Sequence, residues 1–264
     1  MTLAIDRLPA LFVGHGSPMN ALEQNDYTRA WRALGDSLPR PRAILAISAH
    51  WYTRGTFVTA NEQPRTIHDF GGFPQPLFEV AYPAAGSPAL AARVAALLAP
   101  LNVREATDWG LDHGTWSVLV HTYPDADIPI VQLSIDGTQP PAFHLAVGRR
   151  LGALRDEGIL VFGSGGIVHN LGRLQRDGTG VTPGWAQEFD DWVRARAAAA
   201  DHEALVDFAS RGDAARLSVP TAEHYLPLLY VLGTQRPGES VSVPVSGFDL
   251  GSLSMTSIVI GAPA

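Results

Sequence analysis

A chain of 264 residues, 46% hydrophobic and 17% charged, suits one large domain, residues 1–264, whose single core buries most of its apolar surface. Nineteen basic against 26 acidic residues leave a net charge of -7, and without a basic cluster this excludes a nucleic-acid surface. The absence of cysteine excludes disulfides, thiol nucleophiles, iron–sulfur clusters and thiolate zinc sites, so any metal must sit on nitrogen and oxygen.

No run approaches the ~20 apolar residues of a membrane helix, and no signal-like segment opens the chain, so a soluble cytoplasmic protein with no membrane partner is expected. Leu11-Phe12-Val13-Gly14-His15-Gly16 predicts a buried strand that ends in a glycine-flanked histidine, followed by a loop to Asn20. Asp26 to Leu38 predicts an amphipathic helix, with Tyr27, Ala30, Trp31 and Leu34 at helical spacing and Pro39 and Pro41 after it. Ala43-Ile44-Leu45-Ala46-Ile47 has the length and composition of a central parallel strand buried on both faces. It delivers His50 at its carboxyl end, where open α/β sheets place their ligands. Thr56 to Thr59 predicts a short strand paired beside it.

Arg65 to Pro88, rich in proline, glycine and aromatics, predicts a binding loop over the site. Ser87 caps an alanine-rich helix with Pro88 in its first turn, ending near Pro100, and Val103 to Ala106 predicts a short strand. Asp112-His113-Gly114 precedes a helix over Ser117 to Thr122. The strand Ile130 to Ser134 follows, then a helix from Pro141 to Arg155 with His144 expected on its surface. Leu160 to Gly163 is a further apolar strand that runs on to His169 and Asn170. Gly184 to Ala200 predicts a helix whose stripe of Trp185, Phe189, Trp192 and Val193 belongs to the core, and His202, between two acids, reads as solvated. Glu223-His224-Tyr225 opens an apolar helix over Leu226 to Leu232, and Met255 to Ile260 predicts a closing strand.

Three strand-to-loop switches thus carry His15, His50 and His169 toward one edge of an α/β fold. Neutral imidazoles on separate loops suit Fe(II), Zn(II), Ni(II) or Cu(II), whereas magnesium or calcium would want carboxylates. Wide dispersal at element ends fits a catalytic metal with open positions better than a closed structural one.

Gly14-His15-Gly16-Ser17-Pro18, Ser48-Ala49-His50-Trp51, His68-Asp69-Phe70-Gly71-Gly72-Phe73-Pro74, Asp112-His113-Gly114-Thr115-Trp116, Val168-His169-Asn170-Leu171 and Glu223-His224-Tyr225 together resemble the DOPA 4,5-dioxygenase group. That group belongs to the class III extradiol ring-cleaving dioxygenases, the LigB superfamily, and the similarity runs in order through nearly the whole chain. The resemblance implies a single α/β domain with a mixed, mostly parallel central sheet flanked by helices. It implies a non-haem Fe(II) enzyme that uses dioxygen to open a small aromatic diol, a catechol, to a muconic semialdehyde. Zn(II) is then the ion that replaces iron on aerobic purification.

His15, His50 and His224 match the group's metal ligands. His169 matches a position beside the metal, as acid/base or fourth ligand, and His113 one that hydrogen-bonds substrate or oxygen. Phe70 and Phe73 then wall the pocket, and Trp51, Trp116 and Tyr225 stand as ring neighbours. The protocatechuate-cleaving branch uses glutamate as third ligand, whereas here His224 takes that place, with Glu223 just before it. Three neutral imidazoles leave a dipositive metal uncompensated, a charge that a doubly deprotonated catecholate would neutralise. A zinc hydrolase with His169 or Glu223 as base would use the same histidines, whereas a non-enzymatic binding protein of the same fold would have them replaced or scattered. Arg65, Arg173 and Arg176 lie near the motif loops as candidates for a substrate carboxylate.

Overall fold

The computed structural model describes residues 7–175 and 181–261. Its central sheet has six strands: β1 Ala10–Gly14, β2 Ala43–Ser48, β3 Ile130–Gln132, β4 Ile159–Gly165, β5 Val241–Val245 and β6 Ser257–Ile260. They lie in the order β3-β2-β4-β1-β6-β5. The first four in that order are parallel, and β6 and β5 add antiparallel neighbours beyond β1. The expected mixed, mostly parallel sheet is therefore present.

Every residue of β1, β2 and β4 is buried, which is why these segments read as continuous apolar runs. Alternate side chains feed opposite cores: Leu11, Val13, Ile44 and Phe162 one, Phe12, Leu45, Ile47 and Val161 the other. Helices α1 Asp26–Ser37 and α3 His113–Thr122 cover the first face through Trp31, Leu34, Val118 and Leu119. Helices α2 Pro88–Leu98, α4 Pro141–Leu151, α5 Gly184–Ala198 and α6 Leu226–Gly233 cover the second, through Leu90, Leu145, Phe189 and Leu229 among others. Each such side chain contributes about 1.5–3 kcal/mol on full burial. Local signals set the helix starts: Asn25 and Thr28 form a reciprocal cap, and the Ser87 and Asp112 side chains each accept from a first-turn amide.

Three expectations are corrected. Phe57–Thr59 pairs with Arg104–Ala106 in a separate two-stranded sheet, because the fully buried β3 takes the place beside β2. The loop after His15 contains a 3₁₀ turn, Pro18–Ala21. His144 is wholly buried rather than on the helix surface, with Nδ1 3.0 Å from the Tyr230 hydroxyl. Helices α4 and α6 approach so closely that a Cβ on Gly148 would lie 2.2 Å from the Tyr230 carbonyl oxygen, and that approach removes His144 from solvent. Among the described residues no helix is long and apolar enough to cross a membrane.

Candidate active site

The parallel register aligns Gly14 with Gly165 and Ser48 with Ser164, so β1, β4 and β2 end level and their loops leave side by side. The His15 amide donates to Gly165 O, and the Ala49 amide to Ser164 O, both at 3.0 Å. Gly165 has a second task. A Cβ there would lie 2.1 Å from the His224 carbonyl oxygen, and that oxygen instead accepts from the Gly166 amide at 2.8 Å, which brings the start of α6 to the strand ends. His113 arrives from the first turn of α3, whose cap, Asp112, is buried and bonded by Gln132 at 2.8 Å.

The five histidines meet there. His15 and His50 bring their Nε2 atoms to 3.2 Å, and each ring is held from its other nitrogen. His15 Nδ1 meets the Ser164 hydroxyl at 2.9 Å, His50 Nδ1 lies 3.4 Å from Asp69, and His224 Nδ1 lies 3.2 Å from Glu223. His224 Nε2 is buried with no hydrogen-bond partner. His113 Nδ1 lies 3.0 Å from Asp69, and one ring nitrogen from each of His15, His50 and His113 falls within 4.8 Å of the others. His169 stacks on His224.

Burial is the first cause that keeps four of these rings, His15, His50, His169 and His224, neutral. It drives His15 and His224 well below the ordinary histidine range, with the neighbouring imidazoles adding to the effect. It lowers His50 to about 3 and His169 to about 4. Neutral imidazole is the form that ligates a metal. A buried nitrogen without a partner, on a ring whose centroid lies 5.3 and 5.1 Å from those of His15 and His50, costs free energy unless something binds it, so the donor set fits a divalent transition ion. The described site is thus a multi-histidine metal-binding arrangement, and His15, His50 and His113 form its tightest group.

A cavity of about 650 Å³ opens over the histidines, walled by Pro18, Phe70, Phe73, Leu171, Leu174 and Leu250 among others. Phe70 and Phe73 are among its lining residues. The expected ring neighbours Trp51, Trp116 and Tyr225 do not line it. Trp51 stacks on Trp109, ring centroids 5.6 Å apart. Trp116 is buried behind Phe70 and donates its indole N–H to Ile67 O at 2.8 Å. Tyr225 is buried in the opposite core and donates its hydroxyl to Leu205 O at 3.0 Å. Large aromatic surfaces gain more from full burial than from a half-open wall. Arg65 donates to Asp108 O, Arg173 is exposed outside the lining, and Arg176 lies outside the described residues. Sequence reasoning assigned no role to Ser164 or Asp69, although Asp69 stands inside a quoted motif between His68 and Phe70.

Residues 9–245 match the family model described as the catalytic LigB subunit of aromatic ring-opening dioxygenase. A protein of Escherichia coli K12 named 4,5-DOPA dioxygenase extradiol is 54% identical over 97% of this chain and 95% of its own. A Beta vulgaris protein of the same name is 35% identical over 93% of this chain and 94% of its own. A crystal structure of an uncharacterized protein from E. coli K12 superposes with a TM-score of 0.85 at 50% identity, covering 97% of this chain and all of that one.

Proposed function

Because the chain belongs to the LigB family and is an extradiol aromatic ring-opening dioxygenase, we propose that it binds Fe(II) through the Nε2 atoms of His15, His50 and His224 and cleaves a catechol beside its two hydroxyls. The product is a muconic semialdehyde and the co-substrate is dioxygen. The observation that carries the ligand set is the unpartnered, buried Nε2 of His224, next to the close Nε2 pair of His15 and His50. Glu223 Oε1 accepts from the Thr221 hydroxyl at 2.7 Å and meets His224 Nδ1, which supports His224 rather than Glu223 as the third ligand.

When bound, the ion supplies a Lewis acid that lowers the pKa of the catechol hydroxyls and an electron path to dioxygen. The protein does the rest. His169, neutral and stacked on His224, takes up the proton that the second catechol hydroxyl releases. His113, with Nδ1 turned to Asp69, meets the substrate with its other nitrogen. Phe70 and Phe73 pack against the ring and keep water from it. The names of the relatives make DOPA one catechol to assay.

The test loads metal-free protein anaerobically with Fe(II) or Zn(II), then follows oxygen uptake and the yellow semialdehyde with DOPA, catechol, protocatechuate and caffeate. Iron-dependent uptake with a yellow product is expected. No uptake with any catechol at stoichiometric iron overturns the reading.

A further inference from the structure

Asp69 divides one carboxylate between two histidines. Its Oδ1 accepts from the His113 backbone amide at 2.9 Å and lies 3.0 Å from His113 Nδ1, a buried nitrogen that makes no aligned hydrogen bond in this conformation. Its Oδ2 lies 3.4 Å from His50 Nδ1. The two rings it addresses have centroids 3.8 Å apart. The next residue, Phe70, lines the cavity and meets the His113 ring edge-on with centroids 5.4 Å apart. One short segment therefore joins the aromatic wall, a ligand of the proposed set and a second pocket histidine.

We propose that Asp69 is a positioning residue that fixes His50 and His113 in the Nδ1–H tautomer, aims His50 Nε2 at the metal, and anchors the Phe70 wall to the same pair. The proposal rests on the ligand set given above. An ionised carboxylate only accepts hydrogen bonds, and a neutral imidazole carries one N–H. A ring that engages Asp69 through Nδ1 does so as the N–H and leaves the Nε2 lone pair free. The same contact raises the basicity of a ligating imidazole, as carboxylates behind metal-bound histidines do.

The partners of the other two proposed ligands differ. Ser164 holds His15 with a neutral hydroxyl that donates onward to Gly114 O. Glu223 reaches His224 alone and shares its oxygen with Thr221. Asp69 is thus the carboxylate that couples two rings, and it places a negative charge directly behind a centre whose proposed ligands are all neutral.

The experiment uses the whole chain, wild type and Asp69→Asn, Asp69→Glu and Asp69→Ala. Long-range ¹H–¹⁵N correlation spectra of the metal-free protein report each histidine's tautomer. Competition of Zn(II) against a chromophoric chelator reports affinity, and the visible bands of the Co(II) form report ligand geometry. In wild type, His50 and His113 are expected in the Nδ1–H form. Asp69→Asn should mix the tautomers, weaken Zn(II) binding 10–100-fold and shift the Co(II) bands, with Asp69→Glu restoring part of the affinity and Asp69→Ala restoring none.

An Nε2–H tautomer on wild-type His50 overturns the proposal without any variant, so failure of a variant to fold leaves it decidable. Folded Asp69→Asn with wild-type affinity and Co(II) bands also overturns it. Neither readout involves ring cleavage. An enzyme inactive toward catechols but with these tautomers and this affinity loss refutes the reaction and keeps the positioning role, while wild-type protein that takes up no Zn(II) refutes the ligand set and the role together.

Discussion

His169 lies flat against His224, ring centroids 3.4 Å apart and planes within 5°. The Nε2 of His224 is the buried, partnerless one, which supports the proposed assignment of His224 as ligand and His169 as proton carrier. His224→Ala is expected to weaken Zn(II) binding at least 100-fold. His169→Ala is expected to bind Zn(II) within a few-fold of wild type and to lose 10²–10⁴-fold in kcat, the usual worth of a general acid–base group. Equal loss of metal in both variants would make His169 a ligand.

Glu223 offers a second separation. Its carboxylate meets Thr221 and His224 Nδ1, so Glu223→Gln should cost about tenfold in metal affinity, as loss of a partner behind a ligating histidine does. If the carboxylate itself held the ion, affinity would collapse as it does for His224→Ala. Chelator competition on the two variants side by side distinguishes these outcomes.

The strand-to-histidine design was legible because parallel strands buried on both faces are written as uninterrupted apolar runs, and their carboxyl ends fall at a site by topology. Asp69 was not. Its partners His50 and His113 belong to other elements, and nothing in the His68-Asp69-Phe70 run distinguishes a carboxylate aimed at two rings from one facing water. Trp51, Trp116 and Tyr225 lie off the cavity for another reason: Trp51 and Tyr225 directly follow a site histidine and point elsewhere, and Trp116, one helical turn after His113, is covered by Phe70. His144 was read as exposed because no one-dimensional pattern reports how closely two helices approach, and here Gly148 decides that distance.

That burial makes His144 a stability sensor. Its folded-state pKa is lowered from 6.5 to about 4, chiefly by desolvation, so between those values the unfolded chain binds a proton that the fold refuses. Stability is then unaffected above about pH 6.5 and falls as pH drops from there toward 4. At pH 5 the loss from this one residue is roughly 2 kcal/mol, or about 4–8 °C in Tm for a chain of this size. The site histidines with lowered values act in the same direction, so the measurement is a difference: metal-free His144→Gln should show a drop in Tm between pH 7.5 and pH 5 that is smaller than wild type's by about that amount. An equal drop in both proteins would show that His144 takes up its proton as readily folded as unfolded.

The apolar wall of the cavity leads to a prediction about substrate preference. Pro18, Phe70, Phe73, Leu171, Leu174 and Leu250 face it, and among the described residues no arginine lines it. A carboxylate placed against such a surface loses water and gains no partner there, whereas an alkyl group gains about 0.8 kcal/mol for each methylene buried. Catechols with a short alkyl substituent are therefore expected to exceed protocatechuate in kcat/KM by at least tenfold, a difference of about 1.4 kcal/mol. Leu250→Arg supplies the missing cation at the wall and should narrow that ratio by raising activity on protocatechuate while lowering it on 4-ethylcatechol. Steady-state oxygen uptake on both substrates with both proteins checks the argument, and a wild-type preference for protocatechuate would mean that its carboxylate finds a cation outside this wall.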